Sequence, residues 1–209
     1  MEVNITDLDH AILHNLLAEA LSPRPVMLVS TVGSDGVPNV APFASTGIIC
    51  YKPSILFVGI SSKNGGGKKD TLVNIEYSGD FVLNVVDEAM ADPMFIARTD
   101  YPRDVDEFKE SGLTPVLGER VKSPRVKESP VSIECKVMQI LQFGETPHIR
   151  SVVFGEGLLA HFKDEIYKDG KMDISKKKTI AHFSGGFFCR TRDVFELRTD
   201  KANPLMIRE

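Results

Sequence analysis

Two long stretches of alternating apolar and polar residues, 131–143 and 149–162, constrain the fold of this chain most. A period of two is typical of β-strands that bury one face, and Glu145-Thr146-Pro147 between the stretches indicates a turn. We therefore expect two long antiparallel strands. Five earlier stretches have the same β-rich texture: 25–32, 37–41, 45–51, 54–60 and 81–86. Six or more strands with few helices between them favour a barrel over a doubly wound sheet.

Helical patterns are short and few. Apolar spacing predicts an amphipathic helix over 5–21, ended by Pro23, and a second helix over 69–78 that stops at Gly79. We expect two short helices in 87–110, because Pro93 and Pro102 interrupt the pattern there, and another short helix ending at Lys178. Without an internal repeat or a linker, the chain is predicted to be one domain over 1–209. Residues 1–22 would form a helical lead-in and residues 187–209 a C-terminal extension.

A glycine run at 65–67 precedes two lysines, Lys68 and Lys69, at the start of the second predicted helix. Glycines let backbone N–H groups approach an oxyanion, and the first turn of a helix carries the positive end of its dipole. The segment 61–74 therefore resembles an anion-binding site. It is not a P-loop, because Ser62 stands where that motif needs glycine and Lys69 where it needs a hydroxyl residue. The alternative is a solvated loop followed by a capped helix.

Charge and composition exclude several function classes. A net charge of −4 gives no general attraction for nucleic acid, and Lys176-Lys177-Lys178 is interpreted as a solvated face, so no nucleic-acid partner is expected. No apolar run approaches the ~18 residues of a membrane span, and the N-terminus lacks the basic region of a signal peptide, which predicts no membrane association and a cytoplasmic location.

Metal and disulfide sites are not expected either. The three cysteines are far apart without a Cys-x-x-Cys pair, which argues against a disulfide framework and a zinc site and favours core positions. His10 and His14 lie four residues apart, but no Glu-x-x-His pattern accompanies them, so we interpret them as surface histidines.

Several short motifs, each present once, follow one another along the chain. They are Arg24-Pro25-Val26, Ser30-Thr31-Val32, Asp35-Gly36-x-Pro38-Asn39-x-Ala41-Pro42-Phe43-x-Ser45, Gly-Gly-Gly-Lys-Lys-Asp-Thr-Leu-x-Asn at 65–74, Phe81-Val82-x-Asn84, Glu128-Ser129-Pro130-Val131-x-x-Glu134-Cys135 and Gly155-Glu156. With this order and spacing the chain resembles the flavin reductase-like family, over roughly residues 24–186. The resemblance implies a mainly β fold with peripheral helices, an antiparallel, Greek-key-like, FMN-binding split β-barrel.

The resemblance also implies a cofactor site in two parts. In the family the first segment lies along the isoalloxazine ring, where small residues and orienting donors are needed; the matching residues are Asn39, Ala41, Pro42, Ser45 and Thr46. Gly47 after them is expected to leave space beside the ring. The second segment would hold the phosphate; the matching residues are Ser61, Lys68, Lys69, Asp70 and Thr71. Asp70, an acceptor when ionised, is assigned to capping the helix or holding Lys68.

The implied activity is that of an oxidoreductase in which FMN accepts a hydride from NADH or NADPH and passes electrons to free flavin, a partner protein or another acceptor. No side chain need act as a catalytic acid or base, and we interpret His161 and His182 as hydrogen-bonded surface residues. The family also implies a homodimer. Two alternatives stay open: a non-catalytic FMN-binding or electron-storage module, and a related split barrel with another ligand such as haem. The second is disfavoured because no axial histidine stands near the first segment.

Overall fold

The computed structural model describes residues 1–63 and 65–196. The helices are α1 (His10–Ala20), α2 (Asp70–Ser78), α3 (Ala91–Ile96) and α4 (Glu107–Ser111), with 3-10 turns at Ile5–Asp7 and Glu88–Met90. The strands are β1 (Arg24–Pro25), β2 (Met27–Val32), β3 (Pro38–Phe43), β4 (Thr46–Tyr51), β5 (Ser54–Ser61), β6 (Asp80–Val85), β7 (Pro115–Val116), β8 (Arg125–Val126), β9 (Val131–Phe143), β10 (Arg150–Phe162), β11 (Tyr167–Lys168), β12 (Lys171–Met172), β13 (Ile180–His182) and β14 (Phe188–Arg190).

One seven-stranded antiparallel sheet dominates the fold, in the order β3-β2-β6-β9-β10-β5-β4. Its two edge strands, β3 and β4, are consecutive in the chain and are joined by only Ala44 and Ser45. The Ser45 carbonyl accepts a hydrogen bond of 2.7 Å from the Gly59 N–H on β5, next to the opposite edge. The sheet therefore curls until its edges meet, which confirms the predicted barrel of antiparallel strands.

The barrel interior is filled by alternate residues of its strands, as the period of two requires. The buried side chains of this core are Val29, Phe43, Leu56, Val58, Ile60, Leu72, Ile75, Phe81, Leu83, Cys135 and Val153. Leu72 and Ile75 come from α2, so this helix closes one end of the barrel. It ends as predicted, at Gly79 with a left-handed φ of 71°. The start of α2 is thereby fixed beside the ends of β3 and β5.

A second apolar cluster lies on the outer face of β2 and β3, where Leu28 and Val40 pack with Met94 of α3 and Phe108 of α4. These are the two short helices predicted for 87–110. Pro93, expected as an interruption, instead lies inside the first turn of α3, where a missing N–H costs no intrahelical bond. Together α3 and α4 cover the outer face of the β3 edge strand.

The N-terminal helix is shorter than predicted. Asp9 caps it by accepting a hydrogen bond of 2.8 Å from the Ala11 N–H, so α1 begins at His10 rather than near residue 5. Ala18 is its buried residue, and Ile12 and Leu16 of the expected apolar stripe are exposed.

The prediction of a helix that ends at Lys178 is wrong. The chain turns at Asp169 and Gly170, whose left-handed φ values are 52° and 78°, to form the β11–β12 hairpin, and no helix follows between this hairpin and β13. After this hairpin the Asp173 carboxylate accepts hydrogen bonds of 3.1 and 2.6 Å from the Ser175 N–H and hydroxyl. Such local side-chain bonds to the backbone compete with helix formation.

Gly155 permits close packing inside the barrel. A Cβ at this position would lie 2.7 Å from the Phe81 ring atoms Cε1 and Cζ. We expect Gly155→Ala to lower the free energy of unfolding by about 1–3 kcal/mol, because the well-packed core must shift to admit the methyl group. Gly186→Ala is the control, since a Cβ there meets no atom within 4 Å. Urea denaturation of both variants measures the difference, and equal stability would contradict this packing.

No helix among the described residues is long and apolar enough to cross a membrane. The three cysteines are free thiols, and only Cys135 of the three is fully buried, since Cys50 and Cys189 are half-buried. The expectation of core positions is therefore correct for Cys135 alone.

Candidate functional site

A cleft of about 340 Å³ runs along the β3 edge strand; we call it the edge cleft. Five segments meet there: the edge of β3, the end of β5 with the loop after it, the start of α2, the loop after α3, and the first residue of α4. The lining residues are Asn39, Ala41, Pro42, Phe43, Ser61, Ser62, Lys63, Lys69, Asp70, Thr71, Ala97, Arg98, Thr99, Asp100 and Glu107. The wall therefore combines small apolar residues with charged groups of both signs.

The β3 wall is a free strand edge. β3 pairs with β2 on one side, and on the other side the Val40 N–H donates a 2.8 Å hydrogen bond to Glu107 Oε2. Two residues further on, Pro42 has no N–H to leave unpaired, which suits an edge position. With Ala41 beside it, the strand presents little side-chain bulk to the cleft. A flat ligand can therefore approach the backbone closely here.

The α2 wall supplies positive potential. Lys69 is the N-cap residue, and its side chain makes no capping hydrogen bond. No described residue forms an ion pair with Lys69, which is half-buried in the cleft. Asp70 is instead paired with Lys63 at 2.8 Å and with Arg103 at 3.4 Å. The start of the helix thus offers one uncommitted ammonium group beside its free amides.

A buried polar network lies where β3, α2 and α4 meet. Asn39 Oδ1 accepts hydrogen bonds from the Thr71 hydroxyl at 3.0 Å and from the Thr31 hydroxyl at 3.1 Å. Asn39 Nδ2 donates to Glu107 Oε2, and Asn74 Nδ2 donates to the Thr31 hydroxyl at 3.2 Å. The side chains of Asn39 and Thr71 therefore bind each other, and their contribution is to fix the strand edge against the helix.

Glu107 is buried in this network, and desolvation by burial raises its pKa to about 7. The Val40 N–H and nearby Lys69 act in the opposite direction, whereas Asp70 and Asp100 raise the pKa further. The carboxyl group therefore changes its charge near neutral pH, at the wall of the edge cleft.

The structure brings together seven of the ten residues predicted from the resemblance. These are Asn39, Ala41, Pro42, Ser61, Lys69, Asp70 and Thr71. The other three lie elsewhere. Ser45 Oγ accepts a bond of 3.4 Å from Arg150, and the buried Thr46 hydroxyl has no hydrogen-bond partner among the described residues. Lys68 lines a neighbouring cleft of about 210 Å³ and is bound to both carboxylate oxygens of Glu76, at 2.8 and 2.7 Å.

Two local expectations need correction. Asp70 neither caps the helix nor holds Lys68, because it is the first helical residue and its carboxylate is taken by Lys63 and Arg103. Gly47 leaves no empty space, because the Phe57 ring fills it: a Cβ at Gly47 would lie 2.7 Å from Phe57 Cε1.

Sequence reasoning missed the α3 and α4 side of the cleft, including Arg98, Asp100 and Glu107. The local sequence carries one partial signal: Asp106 caps α4 through a 3.2 Å bond from the Lys109 N–H, which places Glu107 at the first helical position. Nothing local indicates that this carboxyl group meets Asn39, which lies 68 positions earlier.

The two histidines set aside as non-catalytic lie outside the edge cleft. His161 Nε2 is 2.6 Å from Glu134 Oε1, so this pair holds β10 to β9. Burial raises the pKa of Glu134, but bonds from the Glu119 and Arg120 N–H groups and from His161 together lower it below its ordinary value. His182 lies beside Arg24, and burial lowers its pKa. No three His, Cys, Asp or Glu side chains among the described residues are grouped as metal ligands.

Comparison with solved structures gives the same fold over nearly the whole chain. The 2-nitrobenzoate 2-nitroreductase of Pseudomonas fluorescens is 26% identical, with a TM-score of 0.87 and 98% of both chains covered. Nitrilotriacetate monooxygenase component B from Bacillus cereus is also 26% identical, with a TM-score of 0.89, over 94% of this chain and 98% of the other. Flavoredoxin of Desulfovibrio vulgaris is 26% identical, with a TM-score of 0.71, over 86% of this chain and 92% of the other.

Sequence comparison agrees. An uncharacterized protein of Aquifex aeolicus is 32% identical over 191 residues, which cover 91% of this chain and 95% of that protein. The family model described as "Flavin reductase like domain" matches residues 20–174, which contain the barrel, α2 and every residue of the edge cleft. The chain therefore belongs to the flavin reductase-like family of split-barrel proteins.

Proposed function

We propose that this protein is a cytoplasmic oxidoreductase that binds FMN in the edge cleft, accepts a hydride from NADH or NADPH, and passes the electrons to free flavin or another acceptor. The observation that carries the proposal is the meeting of β3 residues 39–43 with the start of α2 in one cleft. Family membership supports flavin chemistry. The three free thiols suit a reducing compartment.

The residues present fit FMN. The cleft volume of about 340 Å³ lies within the range of small-molecule sites, roughly 300–1,000 Å³. Ala41 and Pro42 would let the ring lie against the strand edge. Lys69, the first amides of α2 and Ser61 would hold the phosphate, with Lys69 free of any described ion pair.

FMN, when bound, supplies the hydride-accepting chemistry. The chain's own residues would bind FMN, hold its ring beside the β3 edge and exclude water from one side of the ring. The network of Asn39, Thr71 and Glu107 fixes the strand edge against the start of α2, which would keep the residues that hold the ring at a constant distance from those that hold the phosphate.

Steady-state oxidation of NADH and NADPH, with and without added FMN, tests this activity. We expect one or both nucleotides to be oxidised in an FMN-dependent way, with free flavin as an effective acceptor. If the protein binds FMN and oxidises neither nucleotide, it is instead a non-catalytic FMN-binding or electron-storage module.

We also propose a homodimer, because the outer face of the β4-β5-β10-β9 half of the sheet is apolar. Val58 and Val153 point into the core, so their neighbours Phe57, Val152 and Phe154 point outward, where they remain half-exposed. Leu141, opposite Val152, is exposed. An apolar sheet face of this kind is typical of a protein–protein contact.

A charge on this face should break the dimer. We expect Leu141→Lys to be largely monomeric at micromolar protein, because dimerisation would desolvate an unpaired ammonium group. Leu117→Lys, on an exposed leucine outside this face, is the control and should stay dimeric. Sedimentation velocity measures both. A monomeric wild-type protein, or a dimeric Leu141→Lys, would count against this interface.

A further inference from the structure

We propose that a second cleft, the histidine cleft, is an anion site that binds a phosphate group of a nucleotide. The cleft has a volume of about 440 Å³ and shares Ser61, Ser62 and Lys63 with the edge cleft. Its ionisable lining residues are all bases: His10, His14, Lys63, His148 and Arg150. No described Asp or Glu lines it. A concave surface with this composition concentrates positive potential.

The three histidines of the cleft lie close together. His10 and His14 lie one turn apart on α1, and the His10 ring stacks on the His148 ring with centroids 3.6 Å apart and an angle of 10° between the planes. Histidine ring N–H groups can donate hydrogen bonds to phosphate oxygens. The three rings therefore place several donors within one cleft.

Arg150 is the strongest candidate anchor. Its guanidinium is half-buried, donates a 3.4 Å bond to Ser45 Oγ, and forms no ion pair with any described residue. Burial, and then the nearby Arg24, lower its pKa, which reflects a desolvated cation without a counter-ion. Its remaining planar N–H groups match the oxygens of a phosphate. Lys63, in contrast, is already bound to Asp70 at 2.8 Å.

The position of the cleft points to a nucleotide. A ligand in the edge cleft can extend past Ser61 and Ser62 into the histidine cleft, since both clefts are lined by these residues. The nicotinamide dinucleotide carries the required group, its pyrophosphate, whereas the FMN phosphate is assigned above to Lys69 and the start of α2. The assignment of this cleft to the dinucleotide rests on the function proposed above, whereas the anion site itself does not.

Calorimetric titration with inorganic pyrophosphate tests the site directly. We expect the double variant His10→Ala, His14→Ala and the single variant Arg150→Gln each to bind pyrophosphate about tenfold more weakly than the wild-type protein. His182→Ala, with its histidine outside this cleft, should behave as wild type. Equal affinity in wild type and both cleft variants would overturn the proposal.

Two further measurements on the double variant distinguish the nucleotides. A rise of about tenfold in the KM for NADH or NADPH in the double variant, with kcat unchanged, would assign the site to the dinucleotide. A loss of FMN affinity with riboflavin affinity unchanged would instead place the FMN phosphate in this cleft and overturn its assignment to the dinucleotide. If pyrophosphate binds but the double variant changes neither the KM for the dinucleotide nor the affinity for FMN, the nucleotide assignment is wrong. A protein that neither binds FMN nor oxidises a nicotinamide nucleotide would refute the proposed function, and the pyrophosphate titration would still decide the anion site.

Discussion

Replacing Glu107 by glutamine is expected to stabilise the protein above neutral pH and to flatten its dependence of stability on pH. The pKa of Glu107 is raised from 4.5 to about 7, chiefly by burial, so the folded protein binds more protons than the unfolded chain in this window. The wild-type free energy of unfolding therefore falls as pH rises from 4.5 to 7. The two pKa values differ by an amount equivalent to about 3 kcal/mol.

Glutamine removes this titration and keeps the shape of the side chain. Its amide oxygen can still accept the hydrogen bond from the Val40 N–H that Glu107 Oε2 accepts at 2.8 Å. Glu110→Gln, on the exposed side of the same helix, is the matched control and should retain the wild-type slope. Urea denaturation at several pH values measures all three proteins. If Glu107→Gln and wild type show the same slope, the carboxyl group is ionised throughout and the raised pKa is wrong.

Lys69→Ala is expected to weaken FMN binding about tenfold or more, because a hydrogen bond to a charged group contributes about 1.5–3 kcal/mol. Riboflavin lacks the phosphate, so its affinity should change little. The neighbouring Lys68→Ala is the matched control: Lys68 is bound to Glu76 and lies outside the edge cleft, and its loss should leave both affinities near wild type.

Fluorescence titrations at fixed salt measure these affinities. An equal loss of FMN and riboflavin in Lys69→Ala would mean that the lysine holds the loop rather than the phosphate. A larger loss in Lys68→Ala than in Lys69→Ala would place the phosphate in the neighbouring cleft of Gly66, Gly67 and Lys68.

The barrel could be predicted from the sequence because its signals are local. The period-two pattern of 131–143 and 149–162 appears as β9 and β10 with almost the same bounds, and Gly79 ends α2 where the pattern stops. The helix predicted to end at Lys178 does not form, because the Asp173 carboxylate accepts a local hydrogen bond from the Ser175 N–H. The single domain over 1–209 stays a prediction, since residues 197–209 of its C-terminal extension lie outside the described part of the chain.

The site was only partly predictable, because it depends on contacts between distant segments. Residues 39–42 and 69–71 could be paired through the family resemblance, and they meet in the edge cleft. Lys68 and Lys69 are adjacent in sequence and both precede Asp70, the first helical residue, yet of the two only Lys69 lines the edge cleft, whereas Lys68 is bound to Glu76. Glu107 reaches Asn39 across 68 positions, which no local pattern records.

Titration of the ligand-free protein with FMN tests whether the edge cleft is a flavin site. We expect saturable quenching of FMN fluorescence at micromolar concentration, with one FMN bound per chain and a yellow protein after removal of free flavin. A colourless protein that leaves the fluorescence of added FMN unchanged at micromolar concentration would contradict it.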